Sequence, residues 1–340
     1  MNSRSILTSM LLAASALMSP GIAAAAEINL YTTREPALIA PLLGAFSKST
    51  GTKVNTIFLK DGLAERVASE GASSPADILM AVDAGNLVDL VDKGVTQPVE
   101  SPVLNSAIAE QLRDAKGNWF ALSMRARVLY AAKDADISTF NYEELADPKW
   151  KGKICIRSGQ HPYNTALFAD YIAHYGAEET EKWLTGVKAN LARKAAGGDR
   201  DAAKDILGGI CDIGIANSYY VGLMRSGKGG EEQVKWGEAI KVILPTFKNG
   251  GTQVNISGAA IAKHSPNKAE AVKLLEYLVS DEAQKIYAEA NYEYPVKAGV
   301  AADPIIASFG ELKIDSKPLS EIVSHRKQAS ELVDKVGFDN

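Results

Sequence analysis

Strand-like and helix-like segments alternate along most of this 340-residue chain. Residues 27–32, 52–59 and 76–81 are short apolar segments typical of strands, whereas 36–49 and 82–93 carry apolar residues at helical spacing. This alternation is typical of βαβ units, in which helices connect parallel strands. The chain up to about residue 95 is therefore predicted to form one α/β lobe.

A long β-rich segment predicts a connection to a second lobe. Residues 119–133 contain neither Gly nor Pro, and their length suits a strand that leaves one lobe and enters another. Residues 242–244 and 253–262 are candidates for the return, with a turn at 249–251 between them. At about 150 residues per domain, the chain length also favours two domains.

We therefore predict an α/β fold of two lobes with mixed, mainly parallel sheets and a cleft between them. Residues 27–124 and 252–340 form a discontinuous N-terminal lobe, and residues 125–251 form the C-terminal lobe. Helices are predicted at 164–174 and 180–194 within the second lobe. Ligands of open α/β sheets bind at the carboxyl ends of the strands, which places a binding site in this cleft.

Residues 1–26 have the features of a cleaved export signal. Arg4 supplies the positive charge, residues 6–18 form an apolar run of signal length, and alanines at 24–26 precede Glu27. A membrane anchor is the alternative, but the run is too short to span a bilayer. No later stretch approaches about 18 uninterrupted apolar residues, so we expect a periplasmic mature chain without membrane insertion.

The two cysteines are expected to pair if the chain is exported. An oxidising compartment permits a disulfide between Cys155 and Cys211, each of which lies in a short strand-like segment, at 153–157 and 210–216. Such a bond would link neighbouring strands. Two unrelated buried thiols are the alternative.

Three tyrosines follow these cysteines at matched distances. Tyr163 comes eight residues after Cys155, and Tyr219 comes eight residues after Cys211, with Tyr220 next to it. If the bridged strands are adjacent and parallel, they end at the same edge of the sheet, so the three phenols can converge in the cleft. The alternative is that each tyrosine covers the edge of the core with its hydroxyl in water.

Composition excludes several classes of function. The chain has 37 Lys and Arg against 41 Asp and Glu, without the basic excess of nucleic-acid-binding proteins. Two Cys and four His are too few for zinc ribbons, iron–sulfur cages or His-rich metal sites, whereas there are twelve Tyr. No nucleotide-binding or hydrolase motif is present, and no residue is assigned a catalytic role.

The chain resembles the periplasmic ferric-iron-binding proteins of ABC importers over essentially the whole mature sequence. The most specific part of the resemblance is the adjacent tyrosine pair with the upstream Tyr-Asn. The matching segments are EINLYTTREP at 27–36, RARV at 125–128, ELADPKWKGK at 144–153, Arg157-Ser158, Tyr163-Asn164, ANSYY at 216–220, SDEAQ at 280–284 and EYPV at 293–296.

This resemblance implies a type II periplasmic binding protein fold and a tyrosine trio as iron ligands. Tyr219, Tyr220 and Tyr163 are the implied ligands. Where some relatives have His or His-Tyr after the first strand, this chain has residues 34–36, Arg-Glu-Pro, and a glutamate found in another branch is replaced by Val82. The remaining coordination positions are therefore open to Glu35, to Tyr31 or to an exogenous anion.

The chemistry of the donors agrees with ferric iron. Fe(III) is a hard cation that prefers phenolate oxygen to thiolate or imidazole, and three phenolates cancel its charge. Carbonate or another synergistic anion would need positive partners, for which Arg34 and Arg125 are candidates, with Arg127 as the alternative on the same strand face. Each arginine has interlobe ion pairing as its alternative role. His161, two residues before Tyr163, lies either beside the ligands or at the surface.

The resulting hypothesis is a periplasmic binding protein, and not an enzyme, that captures Fe(III) and delivers it to an inner-membrane permease with its ATPase. We expect it to act as a monomer, without nucleic acid. One alternative is a binder of a small organic solute or anion, with the tyrosines as stacking walls. An exported enzyme is less favoured because it would need a nucleophile or an acid–base pair.

Overall fold

The structure is a computed structural model that describes residues 26–340. The predicted export signal at residues 1–26 lies outside the described residues, apart from Ala26. Within residues 26–340, no helix is both long and apolar enough to cross a bilayer.

Parallel strands and helices alternate at the start of the described chain, as predicted. The elements are β1 (Glu27–Thr32), α1 (Pro36–Thr50), β2 (Lys53–Phe58), α2 (Leu63–Glu70), β3 (Ile78–Val82) and α3 (Ala84–Asp92). β1 lies between β2 and β3 and runs parallel to both. α1 begins at Pro36, whose fixed φ suits a first helical turn, and ends at Gly51, whose φ of 73° strongly favours glycine.

Two long strands run through the middle of the molecule. The long strands are β5 (Phe120–Ala132) and β9 (Val254–Ala262). Two short elements, β4 (Thr96–Gln97) and α4 (Pro102–Ala107), precede β5. β5 pairs with β9 up to Ala126, and from Arg127 onward it pairs with strands of the second lobe. The predicted crossing strand and its return at 253–262 are therefore confirmed, and every residue of β9 is buried. Residues 242–244, the other part of the expected return, are not a crossing, because residues 240–243 form a strand that pairs with the second-lobe part of β5.

The second group of elements carries the disulfide. It comprises β6 (Ile154–Cys155), α5 (Pro162–Ala189), α6 (Asp199–Leu207), β7 (Ile213–Asn217), α7 (Tyr219–Arg225), α8 (Glu231–Glu238) and β8 (Ile240–Ile243). Cys155 and Cys211 are bonded, and β6 runs parallel to β7. The predicted bridge between neighbouring strands is thus confirmed. The two helices predicted at 164–174 and 180–194 are one helix, α5, broken at Gly176, where φ is 77°.

The mixed, two-lobed α/β architecture is confirmed, but the expectation that the sheets are mainly parallel is wrong. Among the described strands, three pairs are parallel and five are antiparallel. All five antiparallel pairs involve β5 or β9. The reason is that each of these strands crosses between lobes and runs against its neighbours, whereas βαβ units produce parallel pairs only within a lobe.

The C-terminal part of the chain returns to both groups of elements. It forms α9 (Lys268–Leu278), α10 (Asp281–Asn291), α11 (Pro304–Ala307), α12 (Leu319–Ser324) and α13 (Arg326–Lys335). α9 and α10 pack against α1, whereas α12 and α13 pack along α5. The lobe boundaries at 124/125 and 251/252 stay a prediction. The contacts of α12 and α13 show in addition that the end of the chain packs against the second lobe.

Candidate functional site

The three predicted tyrosines lie together. β6 and β7 end at the same sheet edge, and each is followed by a helix that carries tyrosine in its first turn. The hydroxyl oxygens of Tyr163 and Tyr219 are 3.4 Å apart. The rings of Tyr219 and Tyr220 pack with their centroids 4.1 Å apart. The three phenol groups therefore lie at one sheet edge, although Tyr219 and Tyr220 come 56 and 57 residues after Tyr163 in the sequence.

His161 fixes the start of the helix that carries Tyr163. Its Nδ1 accepts a hydrogen bond from the backbone N–H of Tyr163 at 3.2 Å, and the two rings meet edge-on with centroids 4.5 Å apart. Burial and the nearby Arg157 lower the pKa of His161 to about 4, so this imidazole is neutral at physiological pH. His161 therefore positions Tyr163 as a helix cap, and is not the simple surface residue that was one of its two expected roles.

The strand before the tyrosine pair is anchored to the crossing strand β5. Ser218 donates its backbone N–H to the Ala126 carbonyl at 3.0 Å, and its Oγ accepts from the Ala126 N–H at 3.1 Å. The backbone N–H of Asn217 donates to Asp199 at 2.7 Å. These contacts fix the start of α7 and therefore the position of Tyr219 at its first residue.

A cavity of about 250 Å³ opens beside Tyr163 and Tyr219. Its walls come from both lobes. The lining residues are Thr33, Arg34, Glu35, Leu38, Val82, Arg125, Tyr163, Tyr219, Leu223, Ala290, Asn291 and Glu293. Another cavity of about 300 Å³, between α3, α5 and α12, contains none of the three tyrosines, so the chemistry favours the smaller one.

Arg125 is the arginine lining this cavity whose guanidinium makes no hydrogen bond within the described residues. Its side chain is 1% exposed, and none of its three guanidinium nitrogens has a hydrogen-bond partner. The nearest carboxylate, that of Asp83, lies 4.0 Å away, and the guanidinium carbon is 5.6 Å from the centre of the Tyr163 ring. A buried cation with unused donors is costly, which makes Arg125 the strongest anion-binding candidate.

Arg34 also lines the cavity, but one of its guanidinium nitrogens is already bonded within the protein, whereas its buried Nε has no hydrogen-bond partner. Its Nη1 donates to Glu293 at 2.9 Å and to Ser257 at 3.0 Å. Burial alone would lower the pKa of Arg34, but the Glu293 carboxylate raises it overall, so the guanidinium stays charged. Glu293 was not among the expected site residues, because its position beside Arg34 depends on a contact 259 residues apart in sequence.

The structure does not bring Arg127 or Tyr31 into this cavity. Arg127 donates to Asp199 at 2.6 Å and to Asn164 at 2.5 Å. It therefore forms an ion pair, but within the second lobe, and not between the lobes as its alternative role had it. The Tyr31 hydroxyl donates to Glu70 at 3.2 Å. Glu35, by contrast, lies exposed at the cavity wall.

Two further arginines contact the tyrosine rings. The Arg157 guanidinium carbon lies 5.0 Å from the centre of the Tyr163 ring, and that of Arg200 lies 5.6 Å from the Tyr220 ring. Neither was expected as a site residue. Arg157 could have been predicted from the sequence, because it comes two residues after Cys155 and so lies at the same sheet edge as Tyr163.

The environment of Tyr219 and Tyr220 favours the protonated form of their phenols. Burial raises the pKa of Tyr219 well above its usual value, and the neighbouring Tyr163 and Tyr220 raise it further. Burial also raises the pKa of Tyr220. A ligand that binds phenolate must therefore displace these protons, and only a strongly charged cation provides enough attraction to do so.

Comparisons with known proteins identify relatives along almost the whole chain. A family profile described as "Bacterial extracellular solute-binding protein" matches residues 73–307. The iron uptake protein A2 of Synechocystis sp. is 42% identical over 319 residues, which cover 92% of this chain and 90% of that protein.

Two solved structures are also similar. A Bordetella ferric binding protein is 68% identical, has a TM-score of 0.90, and is matched over 92% of this chain and 100% of that chain. A Trichodesmium protein in complex with iron and citrate ligands is 43% identical with a TM-score of 0.86, over 92% of this chain and 99% of that one.

Proposed function

Because the chain belongs to the bacterial extracellular solute-binding protein family, we propose that it is the periplasmic binding component of an ABC importer whose cargo is Fe(III). The observation that carries this proposal is the convergence of Tyr163 and Tyr219, with Tyr220 packed on them, beside a buried unpartnered Arg125. The names of the relatives, which refer to iron uptake and ferric binding, support it. The protein is a binding protein and not an enzyme.

Tyr163, Tyr219 and Tyr220 are the proposed iron ligands. Phenolate oxygen is a hard donor, and Fe(III) is a hard acceptor, so the pairing is chemically matched. Three phenolates carry a charge of −3, which cancels the +3 charge of the ion. Their attraction offsets the unfavourable desolvation of the ion when it is buried in the cleft.

A small anion is proposed to complete the coordination of iron, with Arg125 as its main partner. Carbonate would accept hydrogen bonds from the guanidinium nitrogens that have no protein partner. Arg34 provides further positive charge, although Glu293 holds its Nη1. Glu35 at the cavity wall is the proposed protein alternative to the anion. The Trichodesmium structure, which is a complex with iron and citrate ligands, supports an anion in this role.

The walls of the cavity also suggest how iron is captured. The tyrosines belong to elements of the second lobe, whereas Arg34 and Glu35 follow β1 of the first. We expect the lobes to close about the crossing strands β5 and β9, so that Arg34 and Glu35 approach the bound ion. The closed, monomeric protein would then dock on an inner-membrane permease, whose ATPase drives release.

Iron binding is expected to give a coloured complex whose affinity falls steeply in acid. The raised pKa values of Tyr219 and Tyr220 mean that forming phenolates releases their protons. Release of three protons lowers the apparent affinity by ~1000-fold for each unit by which the pH falls. Competition against a chelator of known protonation, followed through the visible phenolate-to-iron band, measures this slope. A colourless protein after Fe(III) loading, or an affinity independent of pH, would instead favour an organic solute as cargo.

Arg125→Met is expected to abolish the dependence of iron binding on carbonate. In carbonate, affinity should fall by about 10–100-fold, to the value measured without the anion, because the positive partner is lost. Folding stability should be unchanged or higher, since Met removes a buried charge that has no close partner. Iron titrations with and without carbonate, together with urea unfolding, measure both effects.

The exposed Arg66, which pairs with Glu70, provides a matched control as Arg66→Met. Retained carbonate dependence in Arg125→Met would exclude Arg125 as the anion partner. A large loss of stability would assign it to a structural ion pair with Asp83.

A further inference from the structure

A second group of potential ligands lies outside the tyrosine cavity. The His174 Nε2 is 3.0 Å from Asp315 Oδ2 and 3.7 Å from Asp170 Oδ1. All three donor atoms lie within 4.8 Å of one another, and the three side chains are at most 4% exposed. None of these residues lines the cavity beside Tyr163 and Tyr219.

The cluster is assembled from distant parts of the chain. Asp170 and His174 are one turn apart on α5 and therefore share a helix face. Asp315 comes from the segment before α12, where its backbone N–H donates to the Thr252 carbonyl at 3.0 Å. Thr252 lies just before β9, so the cluster joins α5, a lobe crossing and the C-terminal segment.

His174 and Asp315 are held in fixed orientations. The His174 ring stacks on Phe247 with centroids 4.3 Å apart and an interplanar angle of 27°. The backbone N–H of Gly251 donates to Asp315 Oδ2 at 2.8 Å, and that of Lys317 donates to Oδ1 at 2.9 Å. A side chain at Gly250 would collide with the cluster, since its Cβ would lie 2.1 Å from Asp315 Oδ2. Such outer contacts are typical of metal sites, where they orient the ligands.

Asp170 provides the independent sign of a missing partner. It is completely buried, and neither of its carboxylate oxygens accepts a hydrogen bond. Buried carboxyl groups are normally hydrogen-bonded, paired with a charge or bound to metal, because burying one without a partner is unfavourable. The ε-ammonium of Lys317 does not fill this role, since it is bonded to Glu321 at 2.8 Å.

We propose that Asp170, His174 and Asp315 form a second metal site, specific for a divalent transition-metal ion such as Zn²⁺. Imidazole nitrogen and carboxylate oxygen are both zinc donors, and the two negative charges of the carboxylates match the charge of the ion. Ligands about 2.1 Å from a tetrahedral ion lie about 3.4 Å apart, close to the 3.0 Å and 3.7 Å separations from His174 Nε2. These donors also differ from the phenolates proposed for Fe(III), so the two sites select different metals.

A metal ion in this cluster would link α5 to the crossing segment. Because it would bind the folded chain and not the unfolded one, it should raise the stability of the folded chain.

Zinc uptake by the full protein tests this proposal. Wild-type protein with and without prior Fe(III) loading is titrated calorimetrically with Zn²⁺, while the visible band reports whether iron stays bound. We expect one Zn²⁺ per iron-loaded chain, no loss of the iron band, and a higher thermal midpoint with zinc. Absence of zinc uptake by the iron-loaded wild type, or uptake with matching loss of the iron band, would overturn the proposal without any variant.

Substitutions then locate the ion. His174→Gln and Asp170→Asn should each weaken zinc binding by more than about 100-fold while Fe(III) binding and its band persist. The exposed His264 supplies the matched control, because His264→Gln should bind zinc as the wild type does. Wild-type zinc affinity in a folded His174→Gln variant would overturn the assignment, with folding verified through the iron band. The cluster would then be a structural network of one histidine and two carboxyl groups.

Discussion

Tyr219→Phe is expected to lower the Fe(III) affinity by more than about 100-fold and to weaken the visible phenolate-to-iron band. Loss of a contact around a metal ligand already costs about 10–100-fold, and loss of a ligand itself costs more. The substitution removes only the hydroxyl oxygen, which lies 3.4 Å from that of Tyr163, and keeps the ring that packs on Tyr220. Iron competition titrations and absorption spectra measure the effect.

Tyr277→Phe is the matched control for this experiment. Tyr277 has a buried hydroxyl without a hydrogen-bond partner, and it lies on α9, where its ring packs against Phe46. The Tyr277→Phe variant should keep the visible band and the Fe(III) affinity of the wild type. If Tyr219→Phe does the same, Tyr219 is not an iron ligand, and the tyrosines serve as walls for another solute.

Asp199→Ala is expected to destabilise the fold by about 3–5 kcal/mol and to weaken iron binding as well. Asp199 is buried and accepts from Arg127 at 2.6 Å, from Arg157 at 3.2 Å and from the Asn217 backbone at 2.7 Å. Its removal leaves Arg127 buried without its charge partner, which is the costly way to break an ion pair. It also releases the strand end that precedes Tyr219.

Urea unfolding followed by circular dichroism measures this loss of stability, and iron titration at low urea measures the effect on binding. The matched control is Asp212→Ala, which breaks an ion pair with Lys153 in which both side chains are about half exposed. That pair should contribute about 0–1 kcal/mol. Equal, small effects in both variants would contradict a structural role for Asp199 beneath the tyrosines.

The position of the tyrosine site could be predicted because local sequence carried its geometry. Cys155 and Cys211 mark two short strands, and helices begin shortly after each of them. Parallel strands end at one sheet edge, so equal spacing from the cysteines brings Tyr163 and Tyr219 together. Each step used only neighbouring residues and one disulfide.

The choice between the arginines could not be made in the same way. Arg125 and Arg127 are two residues apart on one strand, so sequence periodicity gives them the same face. In the structure β5 passes from one lobe to the other between them, with Ala126 paired to β9 and Arg127 to β7. Arg127 therefore meets Asp199 inside the second lobe, whereas Arg125 faces the cavity.

The His174 cluster was likewise outside the reach of sequence reasoning. His174 and Asp170 have helical spacing, but such a pair is common on helices. The third member, Asp315, is 141 residues from His174 and lies in a segment without regular structure. Only the packing of that segment beside Thr252 brings its carboxylate to the helix.

The sequence alone predicted the α/β elements, a bond between the two cysteines and the convergence of three tyrosines, and its resemblance to ferric-iron-binding proteins implied iron as their ligand. These depend on short-range periodicity and residue type, which a linear sequence contains directly. The tertiary structure decided that β5 and β9 make most strand pairs antiparallel, that Arg125 rather than Arg127 is free for an anion, and that Asp170 is buried without a partner. Those outcomes depend on which strands and polar groups from distant parts of the sequence become neighbours, and only the folded structure determines those neighbours.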